Sequence, residues 1–431
     1  MTRHVFAPRY WLAAAVLIGL FIAAALLQAA SLPTAKPAEV GLSAERLDRL
    51  TRVMQEYVDQ GRIAGLVTLV ARKGRVAYFK PFGKLDLDRG TVMPANGIFR
   101  IASQSKAVTS VAVMILQEEG RILLDEPISK YIPEFAASQV AVPAADKGAQ
   151  GYATIPLKRP ITIRDLLTHT AGISYGTGPA RYEYSKAGIS GWFLADKPVP
   201  IGDVIKKLAA LPFDAQPGEK YIYGFNTDIL GYLVECVSGL NLAEFIDKKI
   251  AGPLGMTDTH FFLPADKRSR FSSVYGADEK GGIKRVEDAL DNFYVDGPRC
   301  CYAGGAGLLS TAEDYSRFLL MLQNGGQLEG VRVLSPKSVE LMTVDHAGSL
   351  YGSQAYGLGF WLTDKLGRNG QPGSVGSFGW GGAYHTTYWV DPAEQMVCVL
   401  MTQLMPAGGS DLHAKFRTMV YQAIVESYEK R

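Results

Sequence analysis

Ser103 and Lys106 stand three positions apart at the start of an apolar stretch, a spacing that suits nucleophilic catalysis. A serine hydroxyl is a weak nucleophile until a neighbouring group takes its proton. On a helix, residues three apart share a face, so the amine lies within one turn of the hydroxyl. Ala107, Val108, Val111, Ala112, Met114 and Ile115 follow at helical spacing and predict that this helix is buried. Burial disfavours an ammonium, which gives Lys106 the character of a base. Ser427 and Lys430 repeat the spacing, but in a charged tail without apolar neighbours, and that match is read as coincidence.

The elements that must hold this pair can be followed along the chain. Ser43 predicts an N-cap for a helix reaching about Gln60. Strands are expected at Leu66–Arg72 and Val76–Phe82, joined by the turn signal Lys73-Gly74. After the Ser103 helix comes a proline-punctuated middle, with helices expected near Ile163–Leu167, Ile201–Ala210, Thr227–Ser238, Leu242–Ile250 and Thr311–Asn324. Strand-like runs return at Leu358–Leu362, Ser377–Trp380, Tyr384–Val390 and Met396–Thr402, before a last helix over Asp411–Ser427. Strands at both ends around a helical middle predict an α+β fold. One antiparallel sheet is built from both ends of the chain and flanked by helices, and a mainly helical lobe is inserted over about residues 120–300. The cleft between two such parts is the expected ligand site.

The chain has 431 residues, 47% hydrophobic and 20% charged, ample for a buried core. Its formal charge of +3 includes Arg3 and Arg9; without them 43 basic residues face 42 acidic ones, which does not suggest a nucleic-acid partner. Those two arginines precede an apolar run, Trp11–Leu27, with Ala29 and Ser31 as a small-x-small cleavage pattern. Residues 1–31 are therefore expected to be a signal peptide or an N-terminal membrane anchor, and the body exported, either periplasmic or secreted. Residues 32–40 read as a linker and 41–431 as the folded domain. Export permits disulfides, but the four cysteines include the adjacent Cys300 and Cys301, which rarely bridge one another. Cys236 and Cys398 lie in apolar runs and are expected to be core thiols, and no metal-ligand spacing is present.

Several segments carry a family resemblance. Phe99–Lys106 resembles the nucleophile motif, Ser-x-x-Lys, of the serine β-lactamase and penicillin-binding-protein superfamily. Gly120–Ile128, Ile163–Gly172 and Gly304–Asp314 are similar to landmarks of the class C-like branch, and the motifs resemble most those of its family VIII carboxylesterases. The landmarks run in the family's order over about residues 40–425. The second motif, Tyr-x-Asn, places Tyr223 as the catalytic tyrosine, but Phe225 holds the asparagine position and Asn226 comes one residue late. The third, Lys-Thr-Gly in β-lactamases, is matched by Trp380-Gly381-Gly382, the version typical of esterase-like members.

The resemblance implies a β-lactamase-like fold with Ser103 as nucleophile and Lys106 and Tyr223 as proton-transfer groups. The amides of Ser103 and Ala383 would form an oxyanion hole, commonly the largest catalytic contribution. Trp380, Gly381, Gly382, Phe225, Asn226 and His385 would line the substrate, with Tyr175, Tyr182, Tyr184 and Trp192 as an aromatic wall. No metal or cofactor is implied, the partner being a small-molecule or peptide substrate, with membrane contact only through the N-terminal segment. Losing the lysine and the asparagine points to a carboxylesterase rather than a β-lactamase. A peptidase or amidase acting on D-amino-acid or unusual peptides would use the same residues, and a non-catalytic scaffold is the alternative of another class. Ser174, in Gly172-Ile173-Ser174-Tyr175-Gly176, matches the nucleophile elbow of α/β-hydrolases, which needs a strand before it and a helix after it. Here a short helix precedes it and a loop follows, and none of His260, His346, His385 or His413 stands in a recognisable triad context.

Overall fold

A computed structural model describes residues 31–144, 151–279, 281–286, 290–352, 354–367 and 370–428, with the side chains of 290–292 left aside. The apolar run Trp11–Leu27 lies outside the described residues, as do Glu429 and Lys430 of the second Ser-x-x-Lys match. Among the described residues no single helix is long and apolar enough to cross a membrane.

Helix α1 (Ala44–Asp59) starts where expected, Ser43 Oγ accepting the Arg46 amide. Leu47, Leu50, Met54 and Tyr57 form its buried face. Strands β1 (Gly65–Arg72) and β2 (Arg75–Asp86) turn through Lys73 and Gly74, both at positive φ (53° and 70°), the conformation that a two-residue hairpin requires. A short β3 (Thr91–Val92) completes the N-terminal share of the sheet. Helix α2 (Ser105–Glu118) carries the candidate lysine, α3 (Asn226–Ser238) follows the candidate tyrosine, and α4 is Ala312–Gln323. Strands β4 (Ala355–Tyr356), β5 (Trp361–Leu362), β6 (Phe378–Gly381), β7 (Thr387–Asp391) and β8 (Met396–Thr402) add the C-terminal share, before α5 (Leu412–Tyr421).

The eight strands order as β4-β5-β6-β7-β8-β1-β2-β3, every pairing antiparallel, so the two ends of the chain meet at β8 and β1. Leu66 lies opposite Thr402 and Arg72 opposite Met396. Alternation sorts the side chains: Leu66 and Val70 join Met396, Cys398 and Leu400 under α1 and α5, whereas Val67, Leu69 and Ala71 join Val397, Val399 and Met401 in the core shared with α2 and α4. Both faces are covered, so every residue of β1 is buried. Arg72, fully buried, ties the layers at one edge, pairing with Glu394 and donating to the carbonyls of Val40, Gly41 and Glu426.

The sheet built from both ends and the mainly helical insertion match the expectation. Differences lie in short elements. The insertion also holds two hairpins, Gln139–Pro143 with Tyr152–Pro156 and Tyr275–Ala277 with Ile283–Arg285. The last helix stops at Tyr421 rather than Ser427. The predicted linker packs on the body: Leu32 and Val40 are buried and the Ala35 amide donates to Val76. Cys236 is exposed on α3 rather than in the core, Cys398 is buried, and all four cysteines are free thiols.

Candidate active site

Ser103 sits in a single 3-10 turn, Ala102–Gln104, that leads directly into α2. Amides at a helix start lack intrahelical partners, so the Ser103 N–H is suited to meet a developing oxyanion. Lys106 is one turn further and 1% exposed. Its Nζ has three oxygen neighbours: Ser103 Oγ at 3.3 Å, Tyr175 Oη at 3.1 Å and the Gly305 carbonyl at 2.7 Å. From Ser105 through Leu116 every residue of α2 is buried, so the lysine rides on a central helix. The glycine-rich stretch is bound to the same helix, Thr109 Oγ1 donating to the Gly304 carbonyl and the Leu308 amide to Ser105 Oγ.

Tyr223 lies in the turn before α3, its ring centroid 4.5 Å from Lys106 Nζ. Its hydroxyl oxygen accepts the indole N–H of Trp380 at 3.2 Å. Behind it stands His169, ring centroids 4.7 Å apart, buried and held in a left-handed conformation (φ 57°). Burial, and secondarily the Lys106 charge, hold its imidazole well below the usual histidine range, so it is neutral. Asn226 Nδ2 sits 3.0 Å from His169 Nδ1 and donates to the carbonyls of Ile173 and Ile222, which fixes the turn carrying Tyr223. Burial, and then the Tyr223 phenol, push the Tyr175 phenol well above its ordinary value. It keeps its proton and serves Lys106 as a neutral partner.

The opposite wall is the end of β6. A Cβ on Gly382 would lie 2.4 Å from the Ile101 carbonyl oxygen and 2.3 Å from Thr386 Oγ1, so glycine lets this strand end close onto the Ser103 turn. Ala383 follows, exposed, and its amide donates to no described residue. The arrangement can transfer protons at Ser103 Oγ, and the close approach of Gly382 brings the strand end that carries the Ala383 amide onto the Ser103 turn.

Ser103, Lys106, Tyr223 and Trp380 are thus brought together, with Gly381, Gly382 and Ala383 beside them. Three expected substrate contacts need correction. Phe225 and Asn226 are fully buried: Phe225 packs edge-on against Tyr175 at 5.0 Å and Asn226 braces His169, so both support the site from behind. His385 stacks on His413 of α5 at 3.9 Å, and its carbonyl accepts from His413 Nε2. Ser174 is buried, its hydroxyl accepting the amides of Gly176 and Thr177, a local turn contact. Of the expected aromatic wall only Tyr175 reaches Lys106; Tyr182 is 73% exposed, Tyr184 is buried and Trp192 packs on Tyr384. His169 was visible in the sequence only as part of a landmark, and its place behind Tyr223 comes from tertiary packing.

The family model described as Beta-lactamase matches residues 50–421. The chain is similar to "Esterase EstB" of Burkholderia gladioli, 30% identical over 91% of this chain and 99% of that protein. It is also similar to a "Putative D-alanyl-D-alanine carboxypeptidase" of Escherichia coli K12, 26% identical over 86% of this chain and 85% of that one. Among solved structures, "EstCE1, a hydrolase with promiscuous acyltransferase activity" superimposes with a TM-score of 0.76 at 26% identity, covering 87% of this chain and 98% of that one. The sheet completed by both chain ends, the serine–lysine turn against the end of β6 and this match over most of the length agree: the chain belongs to the beta-lactamase family.

Proposed function

We propose that the protein is an exported serine hydrolase that cleaves carboxylic esters of small molecules through an acyl-enzyme on Ser103. The observation that carries the ester reading is the Trp380 indole donating to Tyr223 Oη, at the position where the β-lactamase motif has lysine. A neutral indole offers no charge to a substrate carboxylate, and Phe225, in the asparagine's place, offers no amide. In this reading Tyr223 accepts the Ser103 proton as Oγ bonds to the carbonyl carbon. The tetrahedral oxyanion rests on the Ser103 and Ala383 amides, and its collapse breaks the ester C–O bond, the alcohol leaving with the proton from Tyr223. Water then repeats the sequence and releases the acid. Similarity to EstB supports the ester class, and similarity to the putative carboxypeptidase keeps peptides as the rival substrates.

Each polar contact missing for a β-lactam should cost about 1–3 kcal/mol. Two together correspond to a loss of roughly 30- to 20,000-fold in kcat/KM at about 1.4 kcal/mol per decade. Purified enzyme should therefore turn over an activated C2–C6 ester with a kcat/KM at least about a hundredfold above that for benzylpenicillin, near the middle of that range. Penicillin turnover equal to or faster than ester turnover would overturn the ester assignment.

A further inference from the structure

Asp228 occupies the first turn of α3, is 0% exposed, and has a carboxylate oxygen, Oδ2, with no hydrogen-bond partner. An ionised carboxylate so placed is costly unless a cation or donors answer it. One donor is the Gly305 amide, 2.9 Å from Oδ1. The carbonyl of the same Gly305 is the 2.7 Å acceptor of Lys106 Nζ. One glycine therefore joins the carboxylate on its N–H side to the amine on its C=O side, and charge at one end strengthens the hydrogen bond at the other. The approach is possible only because residue 305 is glycine: a Cβ there would stand 2.5 Å from Oδ2.

The three oxygen neighbours of Lys106 suit either of its forms. An ammonium would donate to all three, whereas a neutral amine would donate to Tyr175 and Gly305 and accept from the Ser103 hydroxyl. The other groups facing the lysine are the phenols of Tyr175 and Tyr223 and the neutral His169, and Asp228 also faces the buried Cys301 thiol. Among these described groups Asp228 is the carboxylate, so it decides between the two forms.

We propose, resting on the reading of Ser103 and Lys106 as the catalytic pair, that Asp228 is a positioning residue which holds Lys106 as an ammonium through the Gly305 peptide. The Ser103 proton then goes to the Tyr223 phenolate and not to the lysine. In that step the Oγ–H bond breaks, Tyr223 Oη–H forms, Oγ bonds to the carbonyl carbon, and the Lys106 charge is unchanged throughout. Burial raises the Asp228 carboxyl to about 6, with Lys106 the largest opposing influence, so it is an anion at the neutral to alkaline pH of an ester assay. That anion compensates the ammonium across one peptide unit, and its loss should be felt on both limbs of the activity profile.

The test is the pH dependence of kcat/KM on a p-nitrophenyl ester for wild type, Asp228→Asn and Gly305→Ala. A parallel fluorophosphonate labelling, mapped by peptide mass, reads Ser103 directly. Asp228→Asn keeps an acceptor for the Gly305 amide and removes only charge. Both limbs should move to lower pH, the basic one by more than about half a unit, the size of an ordinary pKa perturbation. Gly305→Ala displaces the carboxylate and should shift them in the same direction, which covers the case in which the asparagine variant does not fold. A basic limb that moves by less than that, or to higher pH, overturns the proposal even if the rate falls. Wild type in which the probe does not modify Ser103 overturns the catalytic reading itself, a separate result.

Discussion

At the scale of residues, two tyrosines compete for the role of proton acceptor, and their surroundings separate them. Tyr175 Oη takes a hydrogen bond from Lys106 at 3.1 Å, yet its phenol is pushed well above its ordinary value. Tyr223 has Lys106 Nζ over its ring and an indole N–H aimed at its oxygen, the contacts that suit a proton acceptor. Tyr223→Phe should thus lower kcat by about 10²–10⁴, the range for a removed general base. Tyr175→Phe removes one hydrogen bond to a charged group, about 1.5–3 kcal/mol, and so about ten- to a hundredfold. Steady-state kinetics on one ester checks this; a larger loss for Tyr175→Phe would exchange the two roles. The pair Ser103 and Lys106 was legible in the sequence because both lie on one helical turn. The roles of Asp228 and His169 were not: each acts across a contact between separate segments, and the landmark that contains His169 does not show what it packs against.

At the scale of elements, the site depends on how closely the end of β6 meets the turn before α2. Gly382 controls that distance through its contacts with Ile101 and Thr386, whereas a Cβ on Gly381 would meet only the Thr386 carbonyl oxygen, at 3.3 Å. Gly382→Ala should push the Ala383 amide away from Ser103 and lower kcat by at least about a hundredfold, as loss of one oxyanion donor does. Gly381→Ala should stay within about tenfold, since contacts of 3.3 Å are relieved by small shifts at modest cost. Near-equal effects in the two variants, measured with thermal melts to confirm folding, would show that the strand end does not set the oxyanion geometry. Elements of this length are also where reading from sequence ends. The α1 cap, the Lys73-Gly74 turn and the run Met396–Thr402 carry signals over many residues and appeared where expected. Phe99–Arg100 pairs with Leu309–Ser310 across more than two hundred positions, and Ala355–Tyr356 is equally short. Two residues contain no periodicity, so only their partners make them strands.

At the scale of the whole molecule, burial sets how stability follows pH. Four of the six histidines are depressed, each with burial as the first cause: His169 well below its ordinary range, His260 to about 4, His385 to about 3, and His413 lowered. The folded chain keeps them neutral while the unfolded chain protonates them near about 6.5, so below that pH unfolding takes up protons and stability falls as acid is added. Buried acids act in the opposite sense. Asp228 and Asp314 are raised to about 6 and about 7, chiefly by burial, and hold protons that the unfolded chain releases; Asp214 and Glu235 are raised as well. Between about pH 5 and 6 the histidines and these acids partly cancel, each group acting by up to about 1.4 kcal/mol per pH unit, so the decline is shallower than the four histidines alone would give. Below about pH 4.5 the slope should steepen, because Asp86 and Asp258, held near 2 against burial by Arg285 and Arg270 among other partners, begin to protonate in the unfolded chain first. Urea midpoints measured from pH 7 down to pH 4 should record this decline. His385→Asn is the sharpest variant, since asparagine tolerates the left-handed backbone that His385 adopts at φ 66° and removes one titrating group. It should flatten the slope between pH 5 and 6 by about 1.4 kcal/mol per unit; an unchanged slope would mean that the His385–His413 stack is open to protons in the folded chain.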